Sequence, residues 1–244
     1  MDYAEYLQNA DALILNKARR IPAKKVPLPI PKLEVYELGQ QLEADEDRSL
    51  LYFTYLTGAR VSEVLAVTTA DFETATDGVA EQIRVRLNTC KRRDLTHGMP
   101  YRNLPLKSNS EIEQKMLALI LKHKRVVEHF GFKKLYDMHR TTAWSKLGAL
   151  KFVTHAVEFN PLRVTDDVEF HLFPHFLRHC RATDLVAEYG FGPFELQYFM
   201  GWSSAEPAKV YVNLDWRNSS RLLLGLNSRL LPQSSSTPQL EFRI

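Results

Sequence analysis

Four short segments of this 244-residue chain group side chains that could do chemistry, and one of them suits a phosphate. In PHFLRH (174–179), His175 and Arg178 stand at i and i+3 and so share a helix face. Pro174 falls where that helix would begin, near its electropositive end. A fixed cation beside an imidazole that titrates near neutrality makes a receptor for a phosphate there. Taken alone, the same residues better suit a surface histidine beside a salt-bridged arginine. A zinc site from His175, His179 and Cys180 is disfavoured: no Glu lies between the histidines as in HExxH, and the other cysteine, Cys90, stands on a different segment. No metal is expected.

The other three segments are individually plain. TGARVSEVLAVTTADF (57–72) holds Arg60 and Glu63 at i and i+3, the spacing of an ordinary helix ion pair. NTCKRRD (88–94) groups Lys91, Arg92 and Arg93 at a turn. MGWSSAEPAKVYVNLDW (200–216) places Tyr211 nine residues after Trp202. A tryptophan is more often core than ligand contact, and Tyr211 is one of ten tyrosines.

The elements that must position these residues are mostly helical. LEVYELGQQLEAD and DRSLLYFTYLT space apolar residues by three and four, with Thr57–Gly58 ending the second, and RVSEVLAV (60–67) predicts a short helix. Further helices are expected over 109–130, 140–157, 175–189, 193–200 and 205–213. The alternation of QIRVRLN (82–88) and the run YRNLPL (101–106) predict a β-hairpin with the basic cluster at its turn. The fold class expected is mainly α with a small antiparallel β-sheet.

Ahead of this domain, residues 2–19 suit an amphipathic helix. KARRIPAKKVPLPIPK (17–32) then puts five basic residues in nine positions and four prolines between 22 and 31, which reads as a linker. Lys17, Arg19, Arg20, Lys24 and Lys25 form either a solvated arm or a strap along a nucleic-acid backbone. The segment 218–231 is Leu-rich, and 232–244 is expected to be a disordered tail. The expected division is therefore 1–32, 33–231 and 232–244.

Net charge is only +3, so a DNA-binding surface must come from how the 32 Lys and Arg are distributed. Two cysteines exclude a disulfide scaffold. No apolar run reaches the length of a membrane span, and the opening MDYAEYL lacks the basic start of a signal peptide. A cytoplasmic protein, associated with the nucleoid when bound to DNA, is expected.

Taken in order, the four segments resemble the tyrosine recombinase (phage integrase) catalytic domain, whose pattern runs Arg, hairpin Lys, His-x-x-Arg, His or Trp, then Tyr. TGARVSEVLAV is similar to the first family box, PHFLRHCRAT to the second, and GWSSAEPAKVY to the third, with Trp202 where His is commoner. The resemblance covers about 33–215 and implies the DNA breaking-rejoining fold. It implies that Tyr211 attacks a DNA phosphorus, leaving a 3′-phosphotyrosyl bond and a free 5′-hydroxyl, with no cofactor, metal or ATP. It further implies that Arg60 and Arg178 clamp the non-bridging oxygens and that His175 moves the tyrosine's proton. Lys91, or Arg92 or Arg93 in its place, protonates the leaving oxygen. Trp202 donates to the phosphate, and Glu63 orients the arginines.

The family's helical core-binding domain is expected ahead of this one, yet only some 30 residues precede it here. The grip on double-stranded DNA is therefore expected to be incomplete in this chain. Residues 218–231 either pack on their own domain or, as the resemblance implies, exchange between protomers of a tetramer. A type IB topoisomerase-like enzyme and a catalytically inactive DNA-binding relative are the alternative readings.

Overall fold

The structure is a computed structural model that describes residues 25–76, 80–88, 101–159 and 162–211, with side chains outside 157–166. In chain order the elements are β1 (Lys25–Pro27), α1 (Lys32–Gln40), α2 (Asp45–Thr57), α3 (Val61–Val64), a 3-10 turn (Thr69–Asp71), β2 (Phe72–Thr76), β3 (Glu81–Asn88) and β4 (Tyr101–Pro105). They continue as α4 (Glu111–His129), α5 (Arg140–Gly148), β5 (Lys151–Phe159), β6 (Leu162–His171), α6 (Pro174–Ala187), α7 (Pro193–Met200) and a second 3-10 turn (Glu206–Val210). The chain divides into two compact units, of which the smaller holds β1 and the β5–β6 hairpin.

The larger unit is organised on α2. Asp45, Glu46 and Asp47 fill its first turn, where the helix dipole favours acids, and Gly58 at φ 55° ends it in the left-handed conformation. Every residue from Ser49 to Thr57 is buried, because α1, α4, α5 and α6 all pack against it. Burying Leu50, Leu51, Phe53 and Leu56 contributes roughly 1.5–3 kcal/mol each. The hydroxyls inside this helix are satisfied locally: Thr54 and Thr57 donate to the carbonyls of Leu50 and Phe53, at 2.7 and 2.6 Å.

The sheet of this unit runs β2-β3-β4, antiparallel throughout. Its inner face carries Val85, Leu87 and Leu104, and the register pairs Leu87 with Arg102. Successive strand residues alternate faces, so Arg102 is carried inward beside Leu104. The expected hairpin is present; β2 was not expected, since FETAT has little apolar content and lies at the sheet's edge.

The smaller unit corrects two expectations. The helix anticipated over 140–157 stops at Gly148, and Lys151–Phe159 is a strand. Phe152 and Ala156 are its buried residues, and a spacing of four fits one helix face and one strand face equally well. The Pro-rich stretch read as linker contributes β1, an edge strand paired with β5 through Lys25↔Glu158 and Pro27↔Ala156. An edge is where a strand tolerates proline's missing N–H.

A buried polar cluster joins α2, α4 and α6. Arg181 donates to Glu113 at 2.8 Å, and its guanidinium lies over the rings of Tyr55, Tyr189 and Phe199. Tyr55 donates to Asp184. Burial pushes the Asp184 carboxyl up to about 6, the Tyr55 hydroxyl opposing and the Glu188 charge adding to it. An unfolded aspartate titrates near 3.9, so the protonated form favours folding. That stabilisation is complete below about pH 4 and lost as pH rises through 6. Asp184→Asn, fixed in the neutral form, is expected to be more stable than the parent at pH 8 by on the order of 2 kcal/mol. The gap should close by pH 4 in thermal melts recorded across that range.

Candidate active site

The site is assembled in the larger unit from the end of α2, the start of α3, one face of α6 and the segment after α7. Arg178 is its centre. It is 3% exposed, and its two Nη atoms donate to the carbonyls of Gly58 and Met200, each at 2.5 Å. These carbonyls belong to helix C-termini, which lack intrahelical partners and carry partial negative charge. Burial first, then the Arg60 charge, pushes the Arg178 guanidinium down to about 10, still protonated at neutral pH. Each Nη keeps a second hydrogen, so Arg178 is fixed from behind and retains donors.

Glycine is required at both carbonyl-bearing ends. Gly58 and Gly201 adopt φ of 55° and 62°. A Cβ on Gly201 would also stand 2.6 Å from Nη1 of Arg102. After Gly201 the N–H of Trp202 returns to the Gln197 carbonyl, which closes α7 and sets the indole.

Arg60 caps α3, where its Nη1 donates to Glu63 at 2.9 Å and its backbone N–H donates to the same carboxylate at 3.1 Å. Glu63 is wholly buried and also accepts from Nη2 of Arg102 at 2.9 Å. Burial alone would raise the Glu63 carboxyl, but Arg102 and Arg60 outweigh it and hold it below its usual range. Arg102, 3% exposed, spends its Nε on the Phe199 carbonyl. It therefore ties β4 to both α3 and α7.

Arg60, Arg178 and His175 line a recess of about 220 Å³ together with Arg140, Trp144, Ser62 and Pro174. Among the described residues three guanidinium groups and no carboxylate border it, an arrangement that suits an anion. Beside it, Tyr211 is set by the 3-10 turn through its N–H to the Ala208 carbonyl. The phenol ring stacks on Trp202 at 5.9 Å between centroids, tilted by 17°. Its hydroxyl is 2.8 Å from Nδ1 of His179. Burial raises the phenol, against the pull of the Arg178 charge. Burial, and then His175, lowers the His179 imidazole.

Of the residues expected from sequence, Arg60, Glu63, His175, Arg178, Trp202 and Tyr211 are thus brought to one place. Lys25 lies exposed on β1 in the other unit. Lys17, Arg19, Arg20, Lys24, Lys91, Arg92, Arg93 and the segment 218–231 fall outside the described residues. Four residues were missed. Arg102 was legible, since strand alternation in YRNLPL puts it on the face of Leu104 and Leu106. Arg140 and Trp144 stand at i and i+4 on α5, a shared face with no motif to mark it. His179 was weighed only as a zinc ligand. Cys180, from that same reading, is buried in α6, and burial pushes its thiol up to about 12.

The buried charge pair generates a stability prediction. Glu63→Ala leaves Arg102 charged and buried without its carboxylate, which is expected to cost about 3–5 kcal/mol in urea unfolding. Glu63→Gln keeps an acceptor for one arginine and is expected to lose less.

Known proteins resemble this chain in sequence and in fold. The tyrosine recombinase XerC of Psychromonas ingrahamii is 22% identical over 228 residues, 90% of this chain and 69% of that protein. The XerC of Herpetosiphon aurantiacus is 25% identical over 224 residues, 87% of this chain and 65% of that protein. The XerA recombinase superposes with a TM-score of 0.53 at 13% identity, over 84% of this chain and 66% of that one. The XerH site-specific recombinase, solved bound to a difH substrate, gives 0.52 at 18% identity, over 81% of this chain and 52% of that one. This chain accordingly spans about half to two thirds of the length of these relatives. The phage integrase family profile matches residues 32–217, three quarters of the chain, and the protein belongs to that family, with a tyrosine recombinase catalytic domain.

Proposed function

We propose that the protein is a site-specific DNA recombinase that cleaves and rejoins strands through a 3′-phosphotyrosyl bond to Tyr211. The observation that carries this reading is a phenol hydroxyl bonded to an imidazole, one helical turn along α6 from a recess lined by arginines. A phenol with a pKa near 10 is about one part in a thousand ionised at neutral pH, and burial here raises it further. The nucleophile therefore needs a proton acceptor as it attacks. In the transition state, charge builds on the non-bridging oxygens, where Arg60 and Arg178 offer planar forks. His175 borders the same recess and Trp202 flanks the nucleophile.

The covalent bond conserves the energy of the phosphodiester, so religation draws on no ATP. The arginines supply the charge neutralisation that a metal would otherwise give. Lys91 protonates the leaving 5′-oxygen, with Arg92 and Arg93 beside it. Lys17, Arg19, Arg20, Lys24 and Lys25 strap the DNA backbone. The relatives' recombinase names and the XerH–DNA complex support double-stranded DNA as the partner. The working assembly is a homotetramer on DNA that exchanges 218–231 between protomers.

The test uses a pool of nicked duplexes with randomised centres, incubated with the protein in EDTA. An SDS-resistant protein–DNA adduct is expected from the parent and none from Tyr211→Phe. Absence of adduct from the parent at every salt concentration overturns the reading. An adduct that survives Tyr211→Phe removes the tyrosine from its role.

A further inference from the structure

We infer that His179, rather than His175, is the group that takes the proton from Tyr211 during attack and returns it during religation. The inference rests on the strand-transfer reading above and deepens it. The family resemblance points to His175, yet the contact to the phenol is made one helical turn further along α6. His179 Nδ1 lies 2.8 Å from the Tyr211 hydroxyl, within the reach a general base needs before any rearrangement. The two rings are 5.1 Å apart, with Trp202 stacked on the same phenol.

The spacing along α6 assigns separate tasks to the two histidines. His175 and His179 share one helix face at i and i+4. His175 is exposed and borders the arginine recess, so it meets the phosphate. His179 is half-buried and meets the nucleophile. Among the described residues, the titratable and charged groups beside it and its phenol partner include His175, Arg178, Cys180 and Tyr211. Burial and the neighbouring His175 both keep its imidazole neutral, the state in which it accepts a proton.

The step balances as follows. The Tyr211 Oη–P bond forms while the P–O5′ bond breaks. The phenolic proton passes to Nδ1 of His179, and the departing 5′-oxygen takes a proton from Lys91. In religation the 5′-hydroxyl attacks phosphorus, Lys91 recovers its proton, and the imidazolium of His179 returns one to the tyrosine oxygen. Nδ1 can accept only if the ring is the Nε2–H tautomer.

Three measurements test this. His179→Asn retains an acceptor oxygen near the Nδ1 position but no titratable base. On duplexes recovered from the nicked pool, it is expected to form adduct at least ~100-fold more slowly than the parent, with unchanged duplex affinity. Its rate should keep climbing with pH where the parent's has levelled. His179→Ala is expected to regain adduct formation when free imidazole is added. Nitrogen-15 NMR of the parent without DNA should show the Nε2–H tautomer at His179, which needs no variant to fold. Adduct formation by His179→Asn within twofold of the parent overturns the inference and leaves the recombinase reading intact. A protonated Nδ1 in the parent, or a loss confined to His175→Asn, has the same effect. Absence of adduct from the parent brings down both.

Discussion

Arg178 holds the site together, and its neighbours are arranged around the difficulty of burying it. A guanidinium that is almost wholly enclosed costs several kcal/mol unless its donors are matched. The matching groups are the carbonyls of Gly58 and Met200, at the C-terminal ends of two helices. Those carbonyls are short of donors themselves, so one side chain satisfies two helix ends and draws on both dipoles. Its charge also lies over the Trp202 ring, 5.7 Å from the centroid. The arginine, the indole and the segment leading to Tyr211 are thereby locked relative to one another.

A second layer supports the first. Glu63 receives Arg60 from its own helix turn and Arg102 from β4, so its single buried charge is shared by two cations. Arg60 gains a fixed orientation at the rim of the recess. Arg102 gains its place from strand register: pairing of Leu87 with Arg102 turns that side chain inward. A slip of one residue in β4 would send it to solvent and leave Glu63 with one partner. The β-sheet thus contributes to the site through one arginine and the precision of its pairing.

How much of this was legible in the sequence follows from the range of the interactions. Gly58, Arg60 and Glu63 fall within six residues, and His175 and Arg178 within four, so local spacing exposed them, while His179 beside them was not singled out. The helices α2, α6 and α7 were legible because Pro or Gly marks an end of each, and α4 because its period runs through 19 residues. The β5–β6 hairpin was not, because Phe152 and Ala156 satisfy helix and strand periods alike, and the β1 partner of Ala156, Pro27, lies far back in the sequence. Arg140 joins the recess only through folding, being 80 residues from Arg60 and 38 from Arg178. No local pattern records such a meeting.

The PHFLRH segment shows what a motif leaves out. Read as spacing, it yields a histidine and an arginine on one face and treats the second histidine as incidental. In three dimensions that face is a short ladder, from the anion recess at His175, through Arg178, to the phenol at His179. A helix rises 1.5 Å per residue, so four residues separate the two imidazoles by about 6 Å along the axis. That distance suits the proposed reaction, with a phosphate at one end and the Tyr211 oxygen near the other. Burial, and then the neighbouring His175, lowers the His179 imidazole, which favours the neutral form that the proposed proton transfer requires.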